Sequence, residues 1–170
     1  MKLSILITLL NEELVLAQTH KAISEKLESM ILSEELSDYE ILYVDDGSSD
    51  STLKLIDAIA DENPRVKYIS FSRNFGRESG ILAGFKYATG DAVMVMDGDL
   101  QHPPYLIPLF VEAYKEGYDI VSGQRSREGE SFVGSFFARS FYKFSNHSMD
   151  VKLTDGKSEL RLLSKRAVDV

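Results

Sequence analysis

The chain has no cysteine among its 170 residues. That excludes a disulfide scaffold, a thiol nucleophile, and zinc or iron–sulfur sites built on thiolates, and it fits a reducing compartment. Histidine is scarce too. The three residues at 20, 102 and 147 leave little for a histidine-rich metal site. Apolar runs end after a handful of residues, well short of the roughly 20 that a spanning helix needs. The first ten residues, Met-Lys-Leu-Ser-Ile-Leu-Ile-Thr-Leu-Leu, turn acidic at Glu12-Glu13 and read as a buried strand rather than a signal peptide. Positive charge is in deficit. The formal net charge is −8, which argues against nucleic-acid binding, where a basic surface supplies most of the affinity. Internal repeats, low-complexity segments and linkers are also missing. What remains is ordinary for a soluble fold: 44% hydrophobic and 27% charged residues, enough for one domain with one sizeable core.

Short apolar runs alternate with segments of helical spacing. Leu3–Leu10 is a near-continuous apolar run, as expected of a strand covered on both faces. Leu16, Ile23, Leu27, Met30 and Ile31 recur at helical intervals. Tyr39–Val44 predicts a second strand. Ser49 or Asp50 can cap a helix that turns Leu53, Ile56, Ile59 and Ala60 inward and stops at Asn63-Pro64. Val66–Phe71 predicts a third strand, and Ser79–Ala88 a small-residue helix closed by Gly90 in the left-handed conformation. Ala92–Met96 predicts a fourth strand, Pro103-Pro104 opens a helix that Gly117 ends, and Tyr118–Val121 predicts a fifth strand. This order implies βαβ crossovers, hence an α/β fold with a mostly parallel sheet. The stretch from Gly123 to Lys157 is less regular. Ser126–Ser131 reads as a polar loop and Phe132–Phe144 as an aromatic helix.

In open parallel sheets, ligands sit beyond the carboxyl ends of the strands. Five predicted strands run there into polar residues: Asn11-Glu12-Glu13, Asp45-Asp46-Gly47-Ser48, Ser72-Arg73-Asn74, Asp97-Gly98-Asp99 and Gly123-Gln124-Arg125. Any one of these could be ordinary turn chemistry, because Asp, Ser, Asn and Gly favour such turns. Their coincidence on one edge points to a site. Asp97-Gly98-Asp99 is the sharpest of them. Two carboxylates one residue apart repel each other, and burying them unpaired is costly. Mg²⁺ or Mn²⁺ removes that cost, since either takes hard oxygen ligands and uses one or two carboxylates together with substrate phosphates. Gln101 can add a third oxygen, and Gly98 lets a diphosphate approach the backbone. His102 follows Gln101, where it could approach the site, though it reads more readily as a turn residue.

Four segments appear in order: Leu-Asn-Glu-Glu (10–13), Tyr-Glu-Ile-Leu-Tyr-Val-Asp-Asp-Gly-Ser-Ser-Asp (39–50), Phe-Ser-Arg-Asn-Phe-Gly-Arg-Glu (71–78) and Val-Met-Asp-Gly-Asp-Leu-Gln-His-Pro-Pro (95–104). They resemble family 2 glycosyltransferases, and within them the polyprenyl-phosphate subgroup similar to dolichol-phosphate mannose synthase. Residues 117–125, 127–131 and 160–169 extend the likeness to essentially the whole chain. The resemblance implies a GT-A (Rossmann-like) three-layer sandwich. It also implies a hexosyltransferase that moves a sugar, with inversion, from a UDP- or GDP-sugar to a polyprenyl phosphate in cell-envelope glycan synthesis.

Site roles follow from the same resemblance. Thr8, Leu10, Glu12, Asp45, Asp46 and Gly98 are expected around the nucleotide sugar. Asp97, Asp99 and Gln101 are expected at a Mg²⁺ or Mn²⁺ ion and the diphosphate. Arg125 is expected at phosphate, with Arg139 and Glu159 on the acceptor side. Arginine suits both phosphate tasks because its planar fork matches phosphate oxygens. Thr8, Leu10 and Glu159 depart from the residues usual in the family. The resemblance further implies that residues 1–170 form one catalytic domain of a parent protein that continues into membrane helices, works at the cytoplasmic face of the membrane and admits a homo-oligomer. Phe132, Phe136, Phe137, Phe141 and Phe144 share one helical face, which is either core or a membrane-surface contact. Two other readings stay open: a transferase acting on a polysaccharide or other sugar, and a nucleotide-sugar-binding module without turnover.

Overall fold

A computed structural model of the chain describes residues 1–99, 102–124 and 157–169. Six strands are described: β1 (Lys2–Leu9), β2 (Asp38–Asp45), β3 (Val66–Ser70), β4 (Ala92–Asp97), β5 (Ile120–Gln124) and β6 (Lys157–Ser164). The helices are α1 (Leu16–Leu32), α2 (Thr52–Glu62), α3 (Arg77–Tyr87), α4 (Ile107–Lys115) and the short α5 (Lys165–Val168). The strands form one sheet in the order β3-β2-β1-β4-β6-β5. β1 to β4 pair in parallel, and β6 runs antiparallel to both neighbours.

Alternation along the strands builds two cores. Leu3, Ile5, Ile7 and Leu9 of β1 face α1, α2 and α4, where they join Leu16, Ile23, Ile56, Ile107 and Phe110. Leu6 faces the other way and joins Leu42, Val44, Val93 and Val95, with Ile81 and Phe85 of α3 and Val168 of α5 packed on them. Helices therefore cover both faces, which makes a three-layer α/β/α sandwich. A strand buried on both sides can afford few polar positions, so β1 reads as a continuous apolar run.

Several expectations need correction. The fifth strand begins later than Tyr118, and β6 went unrecognised: it inserts between β4 and β5 as an antiparallel strand. α3 starts at Arg77, and Gly90 is not its left-handed cap. The glycines with positive φ are Gly47, Gly76 and Gly117 among the described residues. Gly90 is needed for another reason: a Cβ there would lie 2.7 Å from the backbone nitrogen of Ser4. The helix after Pro103 begins as a single 3-10 turn, Pro104–Leu106, before α4. The aromatic segment 132–144 and the loop 126–131 lie outside the described residues.

Register brings the polar strand ends level. Thr8 sits opposite Val44 on one side and Asp97 on the other, and Leu9 sits opposite Asp45. The residues that follow β1, β2 and β4 consequently leave the sheet along one carboxyl edge. Among the described residues, no helix is long and apolar enough to cross a membrane.

Candidate active site

The turn after β1 and the turn after β2 are knitted together by local hydrogen bonds. Asn11 adopts φ +56°, a conformation that asparagine tolerates better than most residues. Its side-chain oxygen accepts the Ser49 amide at 2.8 Å. The Glu12 amide donates to Thr52 Oγ1 at 2.8 Å, and Glu13 Oε2 accepts the Ser51 amide at 2.8 Å. Glu13 is thus engaged in holding the start of α2, while Glu12 projects to the cleft. Gly47, at φ +75°, lets the β2 turn press on the loop after β3. A Cβ there would lie 2.4 Å from the Arg73 carbonyl carbon.

Asp46 anchors the next segment. It is 4% exposed, and its two oxygens accept the amides of Phe75 at 2.7 Å and Gly76 at 3.0 Å. A carboxylate at a helix start satisfies orphan amides and meets the positive end of the dipole. Asp45 is buried as well, and accepts the Ser48 amide and the Ser70 hydroxyl.

An open cleft of about 320 Å³ lies over this edge, lined among others by Thr8, Leu10, Glu12, Asp46, Arg77 and Asp99. Asp97 and Gly98 also line it. Of the residues expected at the nucleotide, Thr8, Leu10, Glu12, Asp46 and Gly98 thus meet in one place, together with Asp97 and Asp99. Asp45 does not line the cleft. Gln101, Arg125 and Arg139 lie outside the described residues. Glu159 belongs to β6, of which only the backbone is described at that position.

The acids of the cleft differ in their surroundings. Asp97 Oδ1 accepts from Arg77 Nη2 at 2.8 Å, and its Oδ2 lies 3.0 Å from His102 Nδ1. The hydrogen bond from His102 and the charge of Arg77 outweigh burial and hold the Asp97 carboxyl below the usual range. Glu12 moves the opposite way: burial first, then the negative charges of Asp99 and Asp50, push its carboxyl up. Four acids and one arginine therefore share the lining, and the repulsion is felt at Glu12. Gly98 packs inward. A Cβ on it would lie 2.4 Å from Leu9 Cδ2, and its carbonyl accepts Thr19 Oγ1 at 2.7 Å. A larger residue at this position would have to displace the Leu9 methyl.

Two residues of the site were not assigned to it from the sequence. Arg77 is within a quoted segment but its reach to Asp97 depends on how α3 docks. His102 sits at a bend, and its side chain takes the alternative reading of an approach to the site: it is 6% exposed and turned onto Asp97. The acid–Gly–acid turn followed within a few residues by histidine was the available signal.

The family model described as Glycosyl transferase family 2 matches residues 4–169. The Bacillus subtilis (strain 168) protein CsbB, provisionally named a glycosyltransferase, is 47% identical over 167 residues, which is 98% of this chain and 49% of that protein. A prophage bactoprenol glucosyl transferase homolog of Escherichia coli (strain K12) is 36% identical over 172 residues, covering 99% of this chain and 54% of that protein. The bactoprenol glucosyl transferase of Shigella phage SfX is equally similar, at 36% identity and the same coverage. The chain spans about half the length of the curated relatives it matches. Among solved structures, Staphylococcus aureus TarS 1-349 superposes with a TM-score of 0.57 at 20% identity, over 97% of this chain and 47% of that one. The mannosyltransferase PcManGT of Pyrobaculum calidifontis, solved with GDP-Man and Mn²⁺, gives 0.52 at 18% identity, over 66% of this chain and 31% of that one. These likenesses show the GT-A fold.

Proposed function

The chain belongs to glycosyl transferase family 2, and from that premise we propose that it is the catalytic domain of a polyprenyl-phosphate glycosyltransferase in cell-envelope glycan synthesis. The donor is a UDP- or GDP-sugar and the acceptor a polyprenyl phosphate at the cytoplasmic face of a membrane. The names of the bactoprenol glucosyl transferase relatives support the acceptor class. The observation that carries the reading is the cleft itself: Asp97 and Asp99 flank one glycine at the carboxyl end of β4 and face Glu12 and Arg77.

The donor set fits a divalent cation. Acids outnumber cations in the lining, and burial together with the charge of Asp99 raises the Glu12 carboxyl. Mg²⁺ or Mn²⁺ would be held by Asp99 and Asp97 with Gln101, and when bound supplies charge neutralisation at the departing diphosphate. The chain's own residues do the rest. Thr8, Leu10, Glu12 and Asp46 border the base and ribose. Arg125 meets the diphosphate. Arg139 and Glu159 position the acceptor, whose phosphate is already largely ionised near pH 7 because its second pKa is about 6. A strong general base is then unnecessary. An acceptor oxygen attacks the anomeric carbon as the nucleoside diphosphate leaves from the opposite side, which inverts the configuration.

The test presents the protein with lipid nanodiscs, Mn²⁺ and a panel of UDP- and GDP-sugars, with and without undecaprenyl phosphate. Release of nucleoside diphosphate that requires undecaprenyl phosphate supports the reading. Release that depends on a glycan acceptor, or that ignores the lipid phosphate, overturns it.

A further inference from the structure

Each oxygen of the Asp97 carboxylate faces a donor from a different element. Arg77 Nη2, in the first turn of α3, lies 2.8 Å from Oδ1, and His102 Nδ1, in the segment after β4, lies 3.0 Å from Oδ2. Arg77 is 30% exposed along its side chain and lines the cleft, so its charge bears on the ligand space as well as on Asp97. Among the described residues, no three carboxylate or imidazole side chains are grouped so as to hold a metal by themselves. Asp99 shares the cleft with this paired carboxylate, one glycine away.

We propose that Arg77 and His102 act as a clamp on Asp97 that makes the divalent cation and the nucleoside diphosphate bind jointly rather than separately. The inference rests on the reading that Asp99 meets a cation. With Asp97 committed to two donors, the protein offers the bare ion few anionic oxygens, and Arg77 adds a repelling charge. Cations such as Mg²⁺ and Mn²⁺ commonly complete their shell with substrate phosphates. The diphosphate brings those oxygens and also attracts Arg77, so each ligand raises the affinity of the other by the same factor. Arg77 and His102 are on this view positioning residues, acting through Asp97.

The sign of the effect separates this role from a merely structural one. Mn²⁺ binding to the full chain is titrated by electron paramagnetic resonance, with Mn²⁺ alone and with UDP or GDP present. Wild type is expected to bind Mn²⁺ alone weakly and much better with nucleotide. Arg77→Met is expected to bind Mn²⁺ alone about tenfold more tightly, the scale of one nearby charge removed, and His102→Ala is expected to bind it more tightly as well because one contact leaves Asp97; in both the Mn²⁺–nucleotide coupling factor falls. His102→Asn, whose amide can stand where Nδ1–H stands, keeps wild-type coupling. The two positions lie on different elements, so either folded variant reads the effect if the other fails to fold, as judged by circular dichroism. Unchanged or weaker binding of Mn²⁺ alone in a folded clamp variant overturns the proposal. Asp99→Asn tests the underlying reading: full Mn²⁺ affinity there removes the cation assignment itself. Lost affinity there, beside clamp variants that behave as wild type, overturns the clamp alone.

Discussion

Gly76 donates its backbone amide to Asp46 Oδ2 at 3.0 Å, and through that bond the end of β2 fixes the start of α3. The partner oxygen takes the Phe75 amide at 2.7 Å, so one carboxylate satisfies two amides at a helix start. The same helix turn then presents Arg77 to Asp97. A buried acid at one strand end thereby sets the position of a basic group at another.

Asp46→Ala should cost about 1–3 kcal/mol, the scale of leaving buried hydrogen-bonding groups unsatisfied. It should also weaken nucleotide binding, because Arg77 loses its fixed origin. Urea unfolding and nucleotide titration on the same variant check both. Unfolding at wild-type urea concentration would show that the two amides find other partners.

Gly47→Ala should destabilise by at least roughly 1–2 kcal/mol, the cost of a left-handed residue with a Cβ. The contact at 2.4 Å with the Arg73 backbone adds to it, since backbone cannot swing aside as a side chain can. Differential scanning calorimetry gives the loss as a lower Tm. Gly117→Ala, where φ is +101° but nothing lies within 4 Å of the added Cβ, isolates the conformational part.

Glu40 is 2% exposed at the other end of the sheet. Burial alone would raise its carboxyl. Hydrogen bonds from Ser4, the Thr89 amide, Lys67 and the Thr89 hydroxyl reverse that and hold it at about 2, against an ordinary 4.5. A depressed folded-state pKa means stability that is fully present above the unfolded value and lost as pH falls from about 4.5 towards 2. The amount at neutral pH is on the order of 3 kcal/mol. Glu40→Gln should therefore be less stable than wild type at pH 7, with the gap narrower at pH 3, inside the window from about 4.5 down to 2. Parallel denaturation curves at the two pH values measure it, and a gap constant with pH would contradict the linkage.

Asp99→Asn should lower kcat/KM at least about a hundredfold, the scale of losing one preorganised electrostatic stabiliser of the transition state. Chelation of divalent ions should do the same to the unaltered protein, with recovery on adding Mn²⁺. Steady-state rates of nucleoside diphosphate release, before and after chelator, provide the comparison. Activity that survives both treatments would remove the metal from the reaction.

Much of this molecule is legible in the chain alone. The apolar run of β1 and the helical spacing of Leu16, Ile23 and Leu27 report burial directly, because hydrophobic periodicity follows from which face an element covers. The βα order implies parallel crossovers, and these gather Glu12, Asp46, Asp97 and Asp99 at the carboxyl edge. The sequence by itself therefore determined the layers, the edge and most of the acids that face the cleft. Tertiary structure decided the pairings. Insertion of β6 between β4 and β5 follows no local signal, since neighbour choice in a sheet depends on contacts remote in sequence. The same holds for Gly98, which packs against Leu9, and for His102, which becomes a partner of Asp97 only once the segment after β4 folds back. Composition and spacing say which groups are present. Only the packing of distant segments says which carboxylate is spent on holding a helix, which is paired, and which is turned to the cleft.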